Sequence, residues 1–239
     1  MTTSAEQCFR FRRFTVRQGR SAMKVGTDGT LLGAWARAGG SPPVILDIGT
    51  GTGLIALMMA QRYADALVTA IDIDPQACLD AADNVAASPF ARRISVVNTS
   101  LQTFDAPPAS FTAIVCNPPF FTSQLQCPDE RRNMARHAAA LPYRDLFAAV
   151  ARLLAPGGQF SAIIPVECRQ AFETEAVMAG LFTTRICDVR TTPAKPPRRR
   201  LLTFGNTPPA ALDRSDLVIG SDDYRRLTDI FYLSEEDKG

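Results

Sequence analysis

The stretch VILDIGTGTGL, Val44 to Leu54, decides how this chain folds. VILDIG (44–49) reads as a short buried strand, apolar except for Asp47. Gly49, Gly51 and Gly53 follow at alternate positions and lead straight into GLIALMMAQRY (53–63), a helical run with apolar residues on nearly every side. Glycines between a strand and a helix let the backbone turn sharply and approach a ligand closely. A tight turn with no ligand is the alternative.

Outward from this stretch the alternation continues. LVTAIDI (67–73), ISVVN (94–98), TAIVC (112–116) and GQFSAIIP (158–165) read as strands. PQACLDAADNVAAS (75–88), with proline in its first turn, and PYRDLFAAVARLL (142–154), stopped by APGG, read as helices. A further helix runs to about Gly180, and LFTTRICDVR and RRLLTFG make a terminal strand pair around TTPAKPPR. Strands alternating with helices predict an α/β fold, a mostly parallel sheet with helices on both faces. Ligands of such sheets sit outside the carboxyl ends of the strands.

The 239 residues suffice for one large α/β domain or two small ones, and the net charge of +2 excludes no partner. Charge is unevenly placed, however. Arg10, Arg12, Arg13, Arg17 and Arg20 crowd the N-terminal segment, and Lys195, Arg198, Arg199 and Arg200 form a second cluster. Such clusters are nucleic-acid footprints or merely solvated faces. The six cysteines include no C-x-x-C pair, and the single His137 has no nearby partner set, which argues against a zinc site or a disulfide framework. No apolar run approaches membrane-spanning length, and the N-terminus lacks the apolar core of a secretory signal. A cytoplasmic protein without metal or membrane association is expected.

Asp72, in AIDIDP, ends the second strand about twenty residues beyond the glycine loop, where a carboxylate can accept hydrogen bonds from both hydroxyls of a ribose. A nucleoside-bearing cofactor follows. A nicotinamide site wants G-x-G-x-x-G, and Leu54 stands where its third glycine would be. The pattern present, D-x-G-x-G-x-G, resembles motif I of the Rossmann-like class I methyltransferases, which bind S-adenosylmethionine.

The fourth strand ends in Asn117-Pro118-Pro119-Phe120, and two prolines cannot donate ladder hydrogen bonds. A conjugated amine is a poor nucleophile because its lone pair is delocalised. Two acceptors aimed at its N–H groups favour a pyramidal nitrogen. The Asn117 side-chain carbonyl and the Pro118 backbone carbonyl can supply them, held in place by the prolines, while Phe120 stacks on the planar group. A structural turn is the alternative reading. The tetrapeptide resembles motif IV of the amino-methyltransferases, whose targets include adenine, guanine and glutamine amides.

SAMKVGTDGTLLGAWA (Ser21 to Ala36) resembles the corresponding segment of the bacterial tRNA1(Val) adenine-37 N6-methyltransferase family. The likeness continues through LDIGTGTGL, NPPF, ARHAAALPYRDL, RRRLLTFG and YRRLTDIFYL. It implies a seven-stranded, mostly parallel sheet with an antiparallel C-terminal strand. It also implies a basic N-terminal extension (1–41) packed on a methyltransferase domain (42–239). Implied cofactor contacts are Thr27, Asp47, Gly49, Thr50, Gly51, Gly53, Asp72, Ile73, Ser100 and Asn117. Implied catalytic residues are Asn117, Pro118, Pro119 and Phe120, and a valine tRNA is the implied partner of a monomeric enzyme.

Three positions depart from the family pattern. Ser100 aligns where many relatives carry an acid for the cofactor's adenine, so weaker binding is expected there. Thr112 stands for a common Asp, and Phe120 for tyrosine, a feature shared with guanine-N2 rRNA methyltransferases. For RNA, the candidates are Arg10, Arg12, Arg13, Arg17, Arg20, Arg136, Arg198, Arg199 and Arg200. Phe9, Phe11 and Phe14 either stack bases between those arginines or belong to the core. Other targets remain open: guanine-N2 in rRNA, adenine in DNA, a protein glutamine, or a scaffold that binds cofactor and RNA without turnover.

Overall fold

The computed structural model describes residues 8–21, 24–119 and 141–233. In chain order its elements are β1 (Cys8–Arg10), β2 (Thr15–Arg17), α1 (Thr27–Trp35), β3 (Val44–Ile48), α2 (Leu54–Arg62), β4 (Leu67–Asp72), α3 (Pro75–Ala86), β5 (Ile94–Asn98) and β6 (Phe111–Cys116). Then come α4 (Tyr143–Leu153), β7 (Leu154–Pro165), α5 (Arg169–Met178), β8 (Phe182–Arg190), β9 (Arg199–Gly205), β10 (Asp213–Val218) and α6 (Asp222–Thr228).

Eight strands form one sheet in the order β10-β8-β9-β7-β6-β3-β4-β5, while β1 and β2 pair as a separate antiparallel hairpin. Only β9 runs against its neighbours, β7 and β8. The seven strands expected from the sequence are β3 to β9. An eighth, β10, is added at the edge, parallel to β8. Its sequence DRSDLV is mostly polar and exposed, with Leu217 its only buried residue, so no hydrophobic alternation announces it.

Alternation along the central strands builds two cores. Ile45, Ala113 and Val115 face α1, α2 and the N-terminal hairpin. Leu46, Ile48 and Ile114 face the opposite side, with α4 and α5. There Phe147 meets Phe160, Phe172 and Phe204 edge-on at centroid distances of 5.6, 4.7 and 5.3 Å. Asp47 shares its strand face with Ile45 and points towards α2.

Because β3, β4, β5 and β6 are parallel, their carboxyl ends lie along one edge. Helix α3 starts at that edge and returns to the other. The N-terminal segment climbs α3 from its last turn towards its first. Arg17 exchanges backbone hydrogen bonds with the Asn84 amide, both 2.8 Å, and the Arg20 and Ser21 N–H groups donate to Asp80 Oδ2 at 2.9 and 2.8 Å. At the far end Phe11 and Phe14 are buried and stack on one another at 4.7 Å, and Phe11 stacks on Tyr232. These two rings are core; Phe9 alone is exposed.

Candidate active site

Strand register assembles the site. Ile48 of β3 lies beside Ile71 of β4 and Cys116 of β6, so the next residues, Gly49, Asp72 and Asn117, emerge side by side. Asp72 in turn lies beside Asn98, the last residue of β5, which brings Thr99 and Ser100 alongside.

The glycine loop is folded by hydrogen bonds at both its roots. Gly49 and Thr50 donate their N–H groups to Ile71 O at 2.9 and 3.0 Å, and Gly53 donates to Thr50 O at 2.9 Å. The Gly51 N–H donates to Asp72 Oδ2 at 2.8 Å. Gly49 and Gly51 have φ of 69° and 56°, and a Cβ on either would meet nothing within 4 Å. The positive φ demands glycine, and the space above the loop is open to a ligand lying against the backbone.

Asp72 is half-buried, with Oδ1 accepting the Asp74 N–H at 2.9 Å. Desolvation raises its pKa, opposed by the amides of Asp74 and Gly51. Each carboxylate oxygen retains a further lone pair for a ligand. Asp47 has a different place. It is fully buried, lines neither cavity described below, and accepts at Oδ2 from Thr50 Oγ1 (2.7 Å) and Ala56 N–H (3.1 Å). It braces the loop from behind. Gly53 also lines neither cavity; its Cβ position faces Ala81 of α3.

Asn117 follows β6 directly. Its Oδ1 is buried and has no hydrogen-bond partner among the described residues. Buried acceptors are almost always paired, and leaving one unmet costs about 1–3 kcal/mol. Cys116, next to it, is buried, and desolvation pushes its thiol pKa strongly up, so it is a packing residue and no nucleophile. Phe120, Arg136 and His137 lie outside the described residues.

Two cavities flank the loop and share Gly49, Gly51, Asn117, Pro118 and Pro119. The first, about 530 Å³, is walled by Asp72, Ile73, Ser100, Leu101 and Gln102. Ile73 is 56% exposed, an apolar side chain waiting at the cavity wall. Ser100 Oγ lies 2.8 Å from Thr103 Oγ1 and accepts the Thr103 N–H at 3.2 Å. The second, about 510 Å³, is walled by Lys24, Thr27, Asp28, Thr50 and Arg199. It receives the N-terminus of α1, whose Gly26 cap supplies no side-chain acceptor, and Arg199 Nε donates to Asp28 Oδ2 at 2.7 Å.

The cavities therefore gather Thr27, Gly49, Thr50, Gly51, Asp72, Ile73, Ser100 and Asn117 from the sequence expectation. Ser21, Leu101 and Gln102 are wall residues that the sequence reading did not single out. No motif marks them; they arrive through Ser21's tie to Asp80 and through the turn after β5. Of the arginines, Arg12 pairs with Asp229, Arg20 with Asp80 and Asp83, Arg199 with Asp28 and Arg200 with Asp188. No ion pair to Arg10, Arg13, Arg17 or Arg198 is formed among the described residues, and Arg13 lies over the Phe90 ring at 5.2 Å.

A family model for a methyltransferase domain matches residues 45–158. The chain is 43% identical over 236 residues to the tRNA1(Val) (adenine(37)-N6)-methyltransferase of Parabacteroides distasonis, covering 96% of this chain and 99% of the relative. The protein of the same name from Phocaeicola vulgatus is 45% identical over 231 residues, covering 95% and 97%. Among solved structures, a protein described as a predicted O-methyltransferase from Agrobacterium tumefaciens superposes with a TM-score of 0.62 at 21% identity, covering 85% of this chain and 96% of that one. The geranyl diphosphate C-methyltransferase of Streptomyces coelicolor, solved with S-adenosyl-L-homocysteine, superposes at 0.53 and 13% identity, covering 75% and 78%. These two likenesses carry the fold.

The buried brace of the loop has a consequence for stability. Burial raises the Asp47 pKa from 3.8 to about 7, against the hydrogen bonds from Thr50 and Ala56. Between those values the folded chain holds a proton that the unfolded chain has released. Asp47 therefore makes stability fall as pH rises through this window, by about 1.4 kcal/mol per pH unit, and adds no slope above it. Denaturant unfolding of Asp47→Asn across pH 4–8 should lack this part of the decline; profiles parallel to wild type would contradict the assignment.

Proposed function

The chain belongs to the tRNA1(Val) (adenine(37)-N6)-methyltransferase family, and we propose that it methylates the exocyclic N6 amine of adenine 37 in the anticodon loop of a valine tRNA. The observation that carries this reading is the buried Oδ1 of Asn117, without a hydrogen-bond partner among the described residues, on a residue that lines both cavities.

S-adenosylmethionine supplies the electrophilic sulfonium methyl. The first cavity fits its adenosine. Asp72 has lone pairs left for the ribose hydroxyls, and Ile73 and Leu101 offer apolar faces to the adenine. Ser100 offers the adenine amine one neutral acceptor already shared with Thr103, a weaker contact than a carboxylate gives. The amides of Gly49 and Gly51, and the first-turn amides of α1 at Thr27 and Asp28, are donors suited to the methionine chain and its carboxylate.

The target amine is left to the protein's acceptors. Asn117 Oδ1 takes one N–H and the Pro118 carbonyl the other, which draws the nitrogen out of conjugation and turns its lone pair to the methyl side. Both acceptors stand on a proline-stiffened backbone, so they are placed before the base arrives. No strong base is needed beforehand, since the amine becomes acidic only after it gains the methyl group. Phe120, next in sequence, completes the proposal as the stacking face for the base. An unpaired loop adenine can be splayed into such a site at little cost, whereas a duplex base cannot.

Calorimetry should show Asp72→Ala weakening cofactor binding by at least ~100-fold, since two hydrogen bonds to a charged acceptor contribute ~1.5–3 kcal/mol each. Unchanged affinity would remove Asp72 from the ribose site. Nucleoside mass spectrometry of tRNA from a deletion strain should show N6-methyladenosine lost, restored by the wild-type gene and not by Asn117→Ala. Purified Asn117→Ala should keep its cofactor affinity while kcat falls by ~10²–10³, the scale for one preorganised polar group. Loss of an rRNA guanine methylation in place of the tRNA mark would contradict the substrate.

A further inference from the structure

Among the described residues, the arginines expected to hold RNA fall into two places in the fold. Arg17 sits by the last turn of α3, its backbone tied to Asn84, and Arg13 lies over Phe90, while Arg12 pairs with Asp229 just past α6 and Arg10 stands in the hairpin opposite Thr15. The site lies at the other end of that helix. Twelve helical residues separate the two ends by about 18 Å. Arg20, nearer the site, is spent on Asp80 and Asp83.

At the site edge the arrangement differs. The β8–β9 hairpin, residues 191–198, rises from the carboxyl end of β8 and leads into Arg199 on the wall of the second cavity. It is a braced loop. Lys195 N–H donates to Thr192 O at 3.2 Å and Arg198 N–H to Val189 O at 3.0 Å. Arg190, itself paired with Asp216, donates from Nη1 to Lys195 O at 3.0 Å. Pro193, Pro196 and Pro197 stiffen the rest. The side chains of Lys195 and Arg198 are exposed, and neither meets a carboxylate among the described residues. The next two arginines do, Arg199 with Asp28 and Arg200 with Asp188. Glu167, on the adjoining turn after β7, forms no ion pair among the described residues. On the wall of the second cavity stands Lys24, exposed, its Nζ donating to the Gln18 carbonyl and to no carboxylate among the described residues.

We infer that the RNA backbone flanking the target base is gripped by a rim of Lys24, Lys195 and Arg198 around the second cavity, and that the arginine-rich N-terminal hairpin takes no part in the grip. The inference rests on the proposed RNA substrate. With the cofactor's adenosine in the first cavity and its methionine chain along the α1 side of the second, a base reaches Asn117 through the remainder of the second, and its neighbouring phosphates then pass over that cavity's rim. A stiff hairpin presents its cations with little ordering cost, and phosphate contacts of this kind dominate affinity while reading no sequence.

The test compares two variants of equal charge loss, Lys195→Ala/Arg198→Ala and Arg10→Ala/Arg17→Ala, on unmodified valine tRNA over a salt series, with calorimetric cofactor affinity as the control for folding. The rim variant should raise the tRNA KM roughly tenfold, and the slope of log kcat/KM against log salt should shrink by about 1 per residue removed. Its cofactor affinity should stay within about twofold, and the N-terminal variant should match wild type in all three readings. A rim variant with wild-type KM and salt slope, or an N-terminal variant with the larger loss, overturns the inference while leaving the enzyme's activity on tRNA intact. Failure of the wild-type enzyme to methylate this tRNA overturns the substrate reading and the rim with it.

Discussion

The hydrogen bond from the Gly51 amide to Asp72 holds the site together. It joins the turn after one strand to the carboxylate that ends its neighbour. The loop thereby keeps a left-handed path that only glycine follows at low cost. From behind, Asp47 ties the same loop to the start of α2 through Thr50 and Ala56. A loop fixed from both sides presents its open face as a rigid wall, so a ligand meets backbone already in place.

Everything chemical in the site is then a matter of strand register. One-residue agreement between β3, β4 and β6 sets Gly49, Asp72 and Asn117 abreast. A slip of one residue would turn each of these side chains to the other face. The antiparallel β9 extends this logic, because its first residues return at the same edge. Arg199 there ties down the N-terminus of α1 through Asp28, across 171 positions of chain. The second cavity exists because those distant segments meet.

Much of this was legible in the sequence for identifiable reasons. Buried parallel strands read as apolar runs, and helices between them carry stop signals, so the boundaries of β3 to β9 fall close to their expected places. The glycine spacing and the Asn-Pro-Pro stop are local signals, and they lead to the two cavities. Three kinds of feature were not legible. Helix α1 is buried from Gly29 to Trp35, so no apolar stripe set against a polar face betrays it. β10 is too polar to read as a strand. The partners of charged side chains lie far away in sequence, so Arg20, Arg199 and Arg200 looked as available as Arg198. Nor does its place in the loop motif tell that Asp47 is buried behind the loop.

The account turns on two oxygens meeting one amine. The most direct measurement is a crystal structure of the enzyme with S-adenosylhomocysteine and an anticodon stem-loop containing the target adenine. Asn117 Oδ1 and the Pro118 carbonyl should each lie about 2.7–3.2 Å from N6, with the base entering through the second cavity. A complex in which N6 meets neither oxygen, or in which the Asn117 amide turns away to a protein partner, would contradict it.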